Sequence, residues 1–200
     1  MTERGITPSQ TVGPYFAYCM TGTERYGTRD LVGSNLITAD TAGERIRISG
    51  QLFDGAGKPV SDGLVEIWQA DGNGRYAHPA AGEKANSAFA GFGRAGTDGD
   101  GGFVFETVKP GAVRGPGGKM QAPHVNAGVL ARGLLRRLFT RIYFEGETGN
   151  FADPILALVP ADRRATLIAR RDIANDAGGV AAYRMDIHIQ GEAETVFFEA

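Results

Sequence analysis

The sequence predicts an all-β fold: a two-sheet sandwich with an extended N-terminal arm and one or two short late helices. Three observations carry that expectation. Glycine accounts for 30 of the 200 residues, about twice its usual share of about 7%, and the glycines fall between short segments with no G-X-Y period. At least seven of those segments are strand-like, the clearest of them alternating apolar and polar residues with the two-residue period of a half-buried strand. Only one stretch, late in the chain, sets leucine, isoleucine and alanine at helical spacing.

Residues 1–40 keep neither period and are punctuated by Pro8, Gly13, Pro14, Gly22, Gly27 and Gly33, so they are expected as an arm ahead of a sandwich domain over 41–200. In the run from Arg45, Ile46, Ile48 and Leu52 point one way while Arg45, Arg47, Ser49 and Gln51 point the other, which gives the first strand. Asp54-Gly55-Ala56-Gly57 supplies a turn, and 64–70 follows with the β-formers Val65, Ile67 and Trp68. After a second turn at Asp71-Gly72-Asn73-Gly74, the stretch 76–90 is rich in small residues and expected as loop. Strands resume at 103–108 behind the Asp98–Gly102 glycine cluster; 111–118 is a crossing loop, and 124–131 and 138–144 are further strands. Asp153-Pro154 has the form of an N-cap with proline at the first helical position, and 161–171 is expected to be helical, with arginines on its outer face. Residues 183–190 alternate again, with Tyr183, Met185, Ile187 and Ile189 on one side, and 195–199 closes the fold.

Composition removes several function classes. Hydrophobic residues make up 42% and charged residues 22%, enough apolar material for a packed core. The net charge of −2 comes with no basic stripe to neutralise a phosphate backbone, which argues against a nucleic-acid partner. No apolar run approaches the roughly 20 residues a membrane-spanning helix needs. Cys19 has no second cysteine to pair with, and the opening residues lack an apolar signal-peptide core, so a reducing, cytoplasmic setting is expected. There is no G-x-S-x-G nucleophile elbow and no glycine-rich phosphate loop between a strand and a helix.

The three histidines, His78, His124 and His188, are single and far apart, so spacing alone assigns no metal. His188 falls on the polar side of an alternating strand and is expected to face solvent, and His78, beside Pro79, is read as loop surface. His124 follows Ala122-Pro123 and opens a strand, a position near the end of a sheet where sites form, although a hydrogen-bonded structural histidine is the commoner case there. Tyr76, behind the Asp71–Gly74 turn, is read as half-buried packing.

Taken together, the blocks Thr7-Pro8-Ser9-Gln10-Thr11-Val12-Gly13-Pro14-Tyr15, Leu64 to Tyr76 (LVEIWQADGNGRY), Thr107-Val108-Lys109-Pro110-Gly111, Ala122-Pro123-His124, Thr140-Arg141-Ile142-Tyr143-Phe144 and Gly191 to Phe198 resemble, in order, successive blocks of the intradiol aromatic-ring-cleaving dioxygenases. The resemblance implies a β-sandwich in which a non-haem Fe(III) is held by two tyrosinates and two histidines, anionic phenolates being suited to the ferric state. At those ligand positions this chain has Tyr76, Val113, His124 and Asn126. Valine cannot ligate, and asparagine offers only a weak neutral oxygen. The resemblance therefore implies that this chain holds no iron and is the α subunit of an αβ enzyme. The Fe(III) would be held by a homologous iron-binding β subunit, within a higher αβ oligomer.

On the same footing, Thr11, Gly13, Pro14 and Tyr15 of the arm and Arg132 of the Leu130-Ala131-Arg132-Gly133 loop would line the partner's pocket. There they would meet a small aromatic substrate, 3,4-dihydroxybenzoate, which O2 cleaves between its hydroxyls to 3-carboxy-cis,cis-muconate. An arginine and a tyrosine hydroxyl suit the ring carboxylate, and Gly-Pro makes a close, stiff wall. The rival expectation is a metal-free β-sandwich binding or scaffolding module, which would have no need of the Thr-x-Gly-Pro-Tyr arm.

Overall fold

The predicted alternation becomes strand. In β1 (Arg45–Phe53) every second residue from Ile46 to Leu52 is buried, and the intervening Arg47, Ser49 and Gln51 are only partly covered. The computed structural model describes Met20, residues 32–77 and residues 89–199. After β1 come β2 (Leu64–Gln69), β3 (Phe92–Gly96), β4 (Gly102–Val108), β5 (Val113–Arg114), β6 (Met120–Gln121), β7 (His124–Leu130), β8 (Leu138–Phe144), β9 (Ile168–Arg171), β10 (Ala181–Arg184) and β11 (Ile187–His188).

One layer is β4, β1, β10 and β11: β1 runs antiparallel to β4 and parallel to both β10 and β11. The other is the antiparallel set β3-β2-β7-β8. Strand β9 joins them, parallel to β8 and antiparallel to β10. The inner faces meet in one core, with Ile46, Ile48, Leu52, Phe103, Phe105, Met185 and Ile187 from the first layer. Val65, Ile67, Val125, Val129, Ile142 and Phe144 come from the second. This is the expected sandwich, and each fully buried aliphatic or aromatic side chain in it contributes about 1.5–3 kcal/mol over exposure.

The turns repeat one device. Asp54, Asp71 and Asp98 each accept, on one carboxylate oxygen, the amides two and four residues ahead, at 2.7–3.0 Å. The glycine three residues on (Gly57, Gly74, Gly101) takes a positive φ of 72–77°, so a short acceptor followed by glycine closes the loop at little conformational cost. At Gly50 the requirement is space instead: a Cβ there would stand 1.9 Å from the Met185 carbonyl.

That close approach is where the expected strand 183–190 divides into β10 and β11. Met185 donates its amide to the Ser49 carbonyl while the Asp186 carboxylate takes the Gln51 amide, so a side chain interrupts the backbone ladder. The burial alternation of Tyr183, Met185 and Ile187 survives the break. Residues 161–171 are a correction. They form a 3-10 turn at Arg164–Leu167 and then strand β9, because Ile168 and Ala169 fill the gap beside Tyr143 and Phe144, and sheet pairing overrides a weak helical preference. The other late helical elements are 3-10 turns at Thr148–Ala152, Leu156–Leu158 and Ile173–Asn175. Residues 92–96 and 113–121, where no strand was expected, hold β3, β5 and β6. His188 does not stand free in solvent but stacks on Phe53, ring centroids 4.8 Å apart.

Of the arm, residues 33–36 are tied to the sandwich: Arg94 donates its amide to the Gly33 carbonyl, Glu106 to that of Ser34, and Leu36 to that of Glu106, with Leu36 buried in the core. Thr11, Gly13, Pro14, Tyr15, Cys19 and His78 lie outside the described residues. Among the described residues no helix is long and apolar enough to cross a membrane.

Candidate functional site

Because the inner face of β7 carries Val125, Ala127 and Val129, its outer face carries His124 and Asn126. Register then fixes their neighbours. Asn126 lies opposite Trp68 of β2 on one side and Arg141 of β8 on the other, and His124 lies opposite Tyr143. The Asp71 turn delivers Tyr76 to the same spot, its ring 4.8 Å from that of Trp68. Three of the family-type blocks thus converge on one patch. Val113 is buried in β5, directly after the Ala112 carbonyl, which packs so tightly on Gly74 that a Cβ there would be 2.1 Å away.

The polar groups of this patch saturate one another. His124 Nδ1 donates to the Ala122 carbonyl at 2.8 Å, which leaves Nε2 as acceptor, 3.5 Å from the Tyr76 hydroxyl. Asn126 Nδ2 donates to the Tyr76 oxygen at 3.1 Å and to the Trp68 carbonyl at 3.2 Å. Arg141 Nη1 donates to Gln121 Oε1 at 2.7 Å and to the Tyr143 hydroxyl at 3.3 Å, and Tyr143 donates onward to Asp153. Burial, reinforced by the Arg141 charge, pulls His124 down to about 4. Burial also raises the Tyr76 phenol and pushes that of Tyr143 up to about 12. Near neutral pH the cluster therefore holds two phenols and a neutral imidazole beside a guanidinium.

That set does not fit a ferric ion. Fe(III) in this family is held by phenolates, and a phenol raised by burial is a poor source of one. The four positions offer one phenol, one imidazole, one amide and one hydrocarbon. The amide turns its N–H groups, not its oxygen, toward the Tyr76 oxygen, and the nearby fixed charge is the cation Arg141. No three His, Cys, Asp or Glu side chains converge elsewhere among the described residues.

Arg132 lies at the other end of β7, eight residues from His124 and so up to about 26 Å away along an extended chain. Its side chain is 62% exposed and its Nε stands 3.2 Å from Asp62 Oδ2. The structure thus joins Tyr76, His124 and Asn126 and keeps Arg132 apart from them. Residues to which sequence reasoning gave no place in a site complete the patch: Arg141, Gln121, Tyr143 and Asp153. Arg141 and Tyr143 belong to one of the family-like blocks, and Asp153 was read as an N-cap, a part it plays for the Ile155 and Leu156 amides. Along the same outer face a groove of about 710 Å³ runs past Trp68, Phe92, Phe139, Leu158 and Phe198. On its floor, buried Glu66 is paired with Arg94 at 2.6 Å and Arg137 at 2.5 Å.

The fold is a two-layer β-sandwich, and the patch on its outer face is a cluster of neutral polar side chains around a guanidinium. A family model described as dioxygenase matches residues 13–191, and the chain belongs to the intradiol dioxygenase family. It is 46% identical over 204 aligned residues, covering all of both chains, to the protocatechuate 3,4-dioxygenase alpha chain of Burkholderia cepacia. It is 34% identical to the beta chain of that enzyme from the same organism, over 83% of this chain and 73% of the other. Among solved structures, the dioxygenase domain of a dioxygenase–carbohydrate-binding fusion protein from Streptomyces sp. SirexAA-E superposes with a TM-score of 0.61 at 28% identity, covering 92% and 98% of the two chains.

Proposed function

We infer that this chain is the iron-free α subunit of an αβ protocatechuate 3,4-dioxygenase, which cleaves 3,4-dihydroxybenzoate between its hydroxyls with O2 to give 3-carboxy-cis,cis-muconate. The observation that carries the reading is the full-length match to an alpha chain. Its weaker likeness to the beta chain accords with it, since the two subunits then descend from one fold and the metal need be kept in only one of them. The Fe(III) belongs to the homologous β subunit, and this chain contributes no ligand to it. Exposed Phe151 and Leu158 support a partner surface, because a subunit that buries apolar side chains on assembly displays them when alone.

In this reading residues 1–40 reach across to the partner. Thr11, Gly13, Pro14 and Tyr15 form part of its pocket wall, and the Arg132 guanidinium meets the substrate carboxylate. The lone Cys19 suits a reducing, cytoplasmic setting.

The test is co-expression with a β-type chain, followed by iron analysis and oxygen uptake. The complex is expected to be coloured, to carry one iron per αβ pair and to consume O2 with 3,4-dihydroxybenzoate, and the isolated chain to be colourless and inactive. Stoichiometric iron in the isolated chain would overturn the reading. A stable monomer that assembles with no β-type chain would favour a free-standing binding module.

A further inference from the structure

The Arg132 side chain stands in a largely exposed loop, with Gly133 behind it at a φ of 82°. A long side chain so placed samples many rotamers, and an anion that binds it must first collect it into one. Among the described residues one group restrains it, the Asp62 carboxylate at 3.2 Å. Asp62 in turn sits on a firmly fixed segment. Val60 donates its amide to the Leu52 carbonyl, Thr97 donates its amide to the Gly63 carbonyl, and Gly63 donates its own to the Thr97 hydroxyl. The Thr97 hydroxyl bonds back to the Val60 carbonyl at 2.6 Å. The Asp62 side chain is only 18% exposed, and its second oxygen, Oδ1, is buried with no hydrogen-bond partner. Arg132 is the cation within reach of that carboxylate among the described residues, and because the pair is largely open on the arginine side it directs the guanidinium while adding little to stability.

We propose that Asp62 is the positioning residue for Arg132, its carboxylate drawing the guanidinium in by the Nε side so that the two terminal amino groups are left for a carboxylate-bearing substrate. The inference rests on the reading of Arg132 given above and deepens it by naming the residue that sets substrate preference through it. A carboxylate takes a guanidinium bidentately only when the fork is oriented, so the gain lies in capture of the anion. The Asp62 charge opposes that capture from behind the guanidinium, farther from the substrate and partly screened at the surface. Orientation is therefore the larger effect.

The experiment uses the αβ complex with its iron, comparing 3,4-dihydroxybenzoate with catechol, which lacks the carboxylate. Asp62→Ala is expected to raise KM for 3,4-dihydroxybenzoate about 3- to 10-fold, with kcat at saturation, iron content and KM for catechol unchanged. Asp62→Asn, which keeps the shape, should lie between, Asp62→Glu should restore part of the loss, and Asp62→Ala should add nothing on top of Arg132→Ala. Two results overturn the inference while leaving the role of Arg132 standing: Asp62 variants with unchanged KM, or with a lowered KM as a competing charge would give, while Arg132→Ala still raises it. If Arg132→Ala itself leaves the preference for the carboxylate unchanged, the reading of Arg132 fails and the inference with it.

Discussion

The two ends of β7 have opposite characters. At the end that begins with His124, side chains are buried and hydrogen-bonded to one another and to the backbone: Tyr143 is fully buried, His124 is 2% exposed, and their partners are Ala122, Arg141 and Asp153. At the end that runs into Arg132, the loop is open and one ion pair holds its cation. The buried cluster is closed by internal hydrogen bonds, so changes there should register as stability. An exposed guanidinium remains free to serve a neighbouring molecule, so changes there should register as function.

The largest effect should come from the closed end. Asp153, 1% exposed, accepts the amides of Ala122, Ile155 and Leu156 and the Tyr143 hydroxyl at 2.8–3.1 Å. Asp153→Ala strands several buried donors at once and should cost roughly 3–5 kcal/mol. For a chain of this size that lowers Tm by roughly 6–20 °C. In complex that does assemble, turnover per iron should stay near the parent value. A variant with normal Tm and damaged turnover would erase the contrast between the two ends.

The same end should give the chain a pH signature. Folding takes His124 from an ordinary value of 6.5 to about 4. Between those values the unfolded chain binds a proton that the folded chain refuses. The histidine's effect is therefore favourable and constant above about pH 6.5, and stability falls as the pH drops through the window toward 4. The loss is on the order of 3 kcal/mol at most. Melting curves from pH 7.5 to 4 should slope less steeply for His124→Gln than for the parent chain, whatever the difference in their absolute Tm. Equal slopes would mean that water reaches the imidazole.

At the open end Arg132→Ala should leave Tm within about 1 kcal/mol of the parent, as expected for an exposed ion pair. In the αβ complex, kcat/KM for 3,4-dihydroxybenzoate should fall roughly 5- to 150-fold, the equivalent of about 1–3 kcal/mol for a charge-assisted contact. Catechol should be affected less. An unchanged ratio of the two substrates would make Arg132 an ordinary surface cation.

What could be read in advance follows the same division. Strands β1 and β4 were legible because each buries one face and so writes its period into the sequence, β2, β7 and β8 through their β-forming residues between turn signals, and the three Asp-to-Gly turns because that chemistry is local. Strand β3, Phe-Gly-Arg-Ala-Gly, has too few apolar residues to show a period, and β9, Ile-Ala-Arg-Arg, belongs equally to a helical pattern until its neighbours β8 and β10 are in place. The degenerate positions Tyr76, His124 and Asn126 were legible through the order of the family-like blocks. Arg141 and Asp153 were not, because what matters about them is register: Arg141 is drawn to Asn126 across a strand pair, and Asp153 to Ala122 from a turn 31 residues away. Asp62 had no sequence signal, since its role depends on a loop that only the fold brings beside it.

The smallest effect tests the closed end at Tyr76. Tyr76→Phe deletes a hydroxyl that accepts from Asn126 at 3.1 Å and lies 3.5 Å from His124. Asn126 keeps the Trp68 carbonyl, and the ring keeps its place against Trp68. Because burial raises the phenol and it is neutral near pH 7, no charge is lost, and the cost should be about 1 kcal/mol. That corresponds to a fall of about 2–4 °C in Tm. Iron content and visible absorption of the αβ complex should not change. If Tyr76→Phe instead bleached the colour or removed iron, the phenol would be acting as a ligand in the assembled enzyme, and the closed end would still be a metal centre.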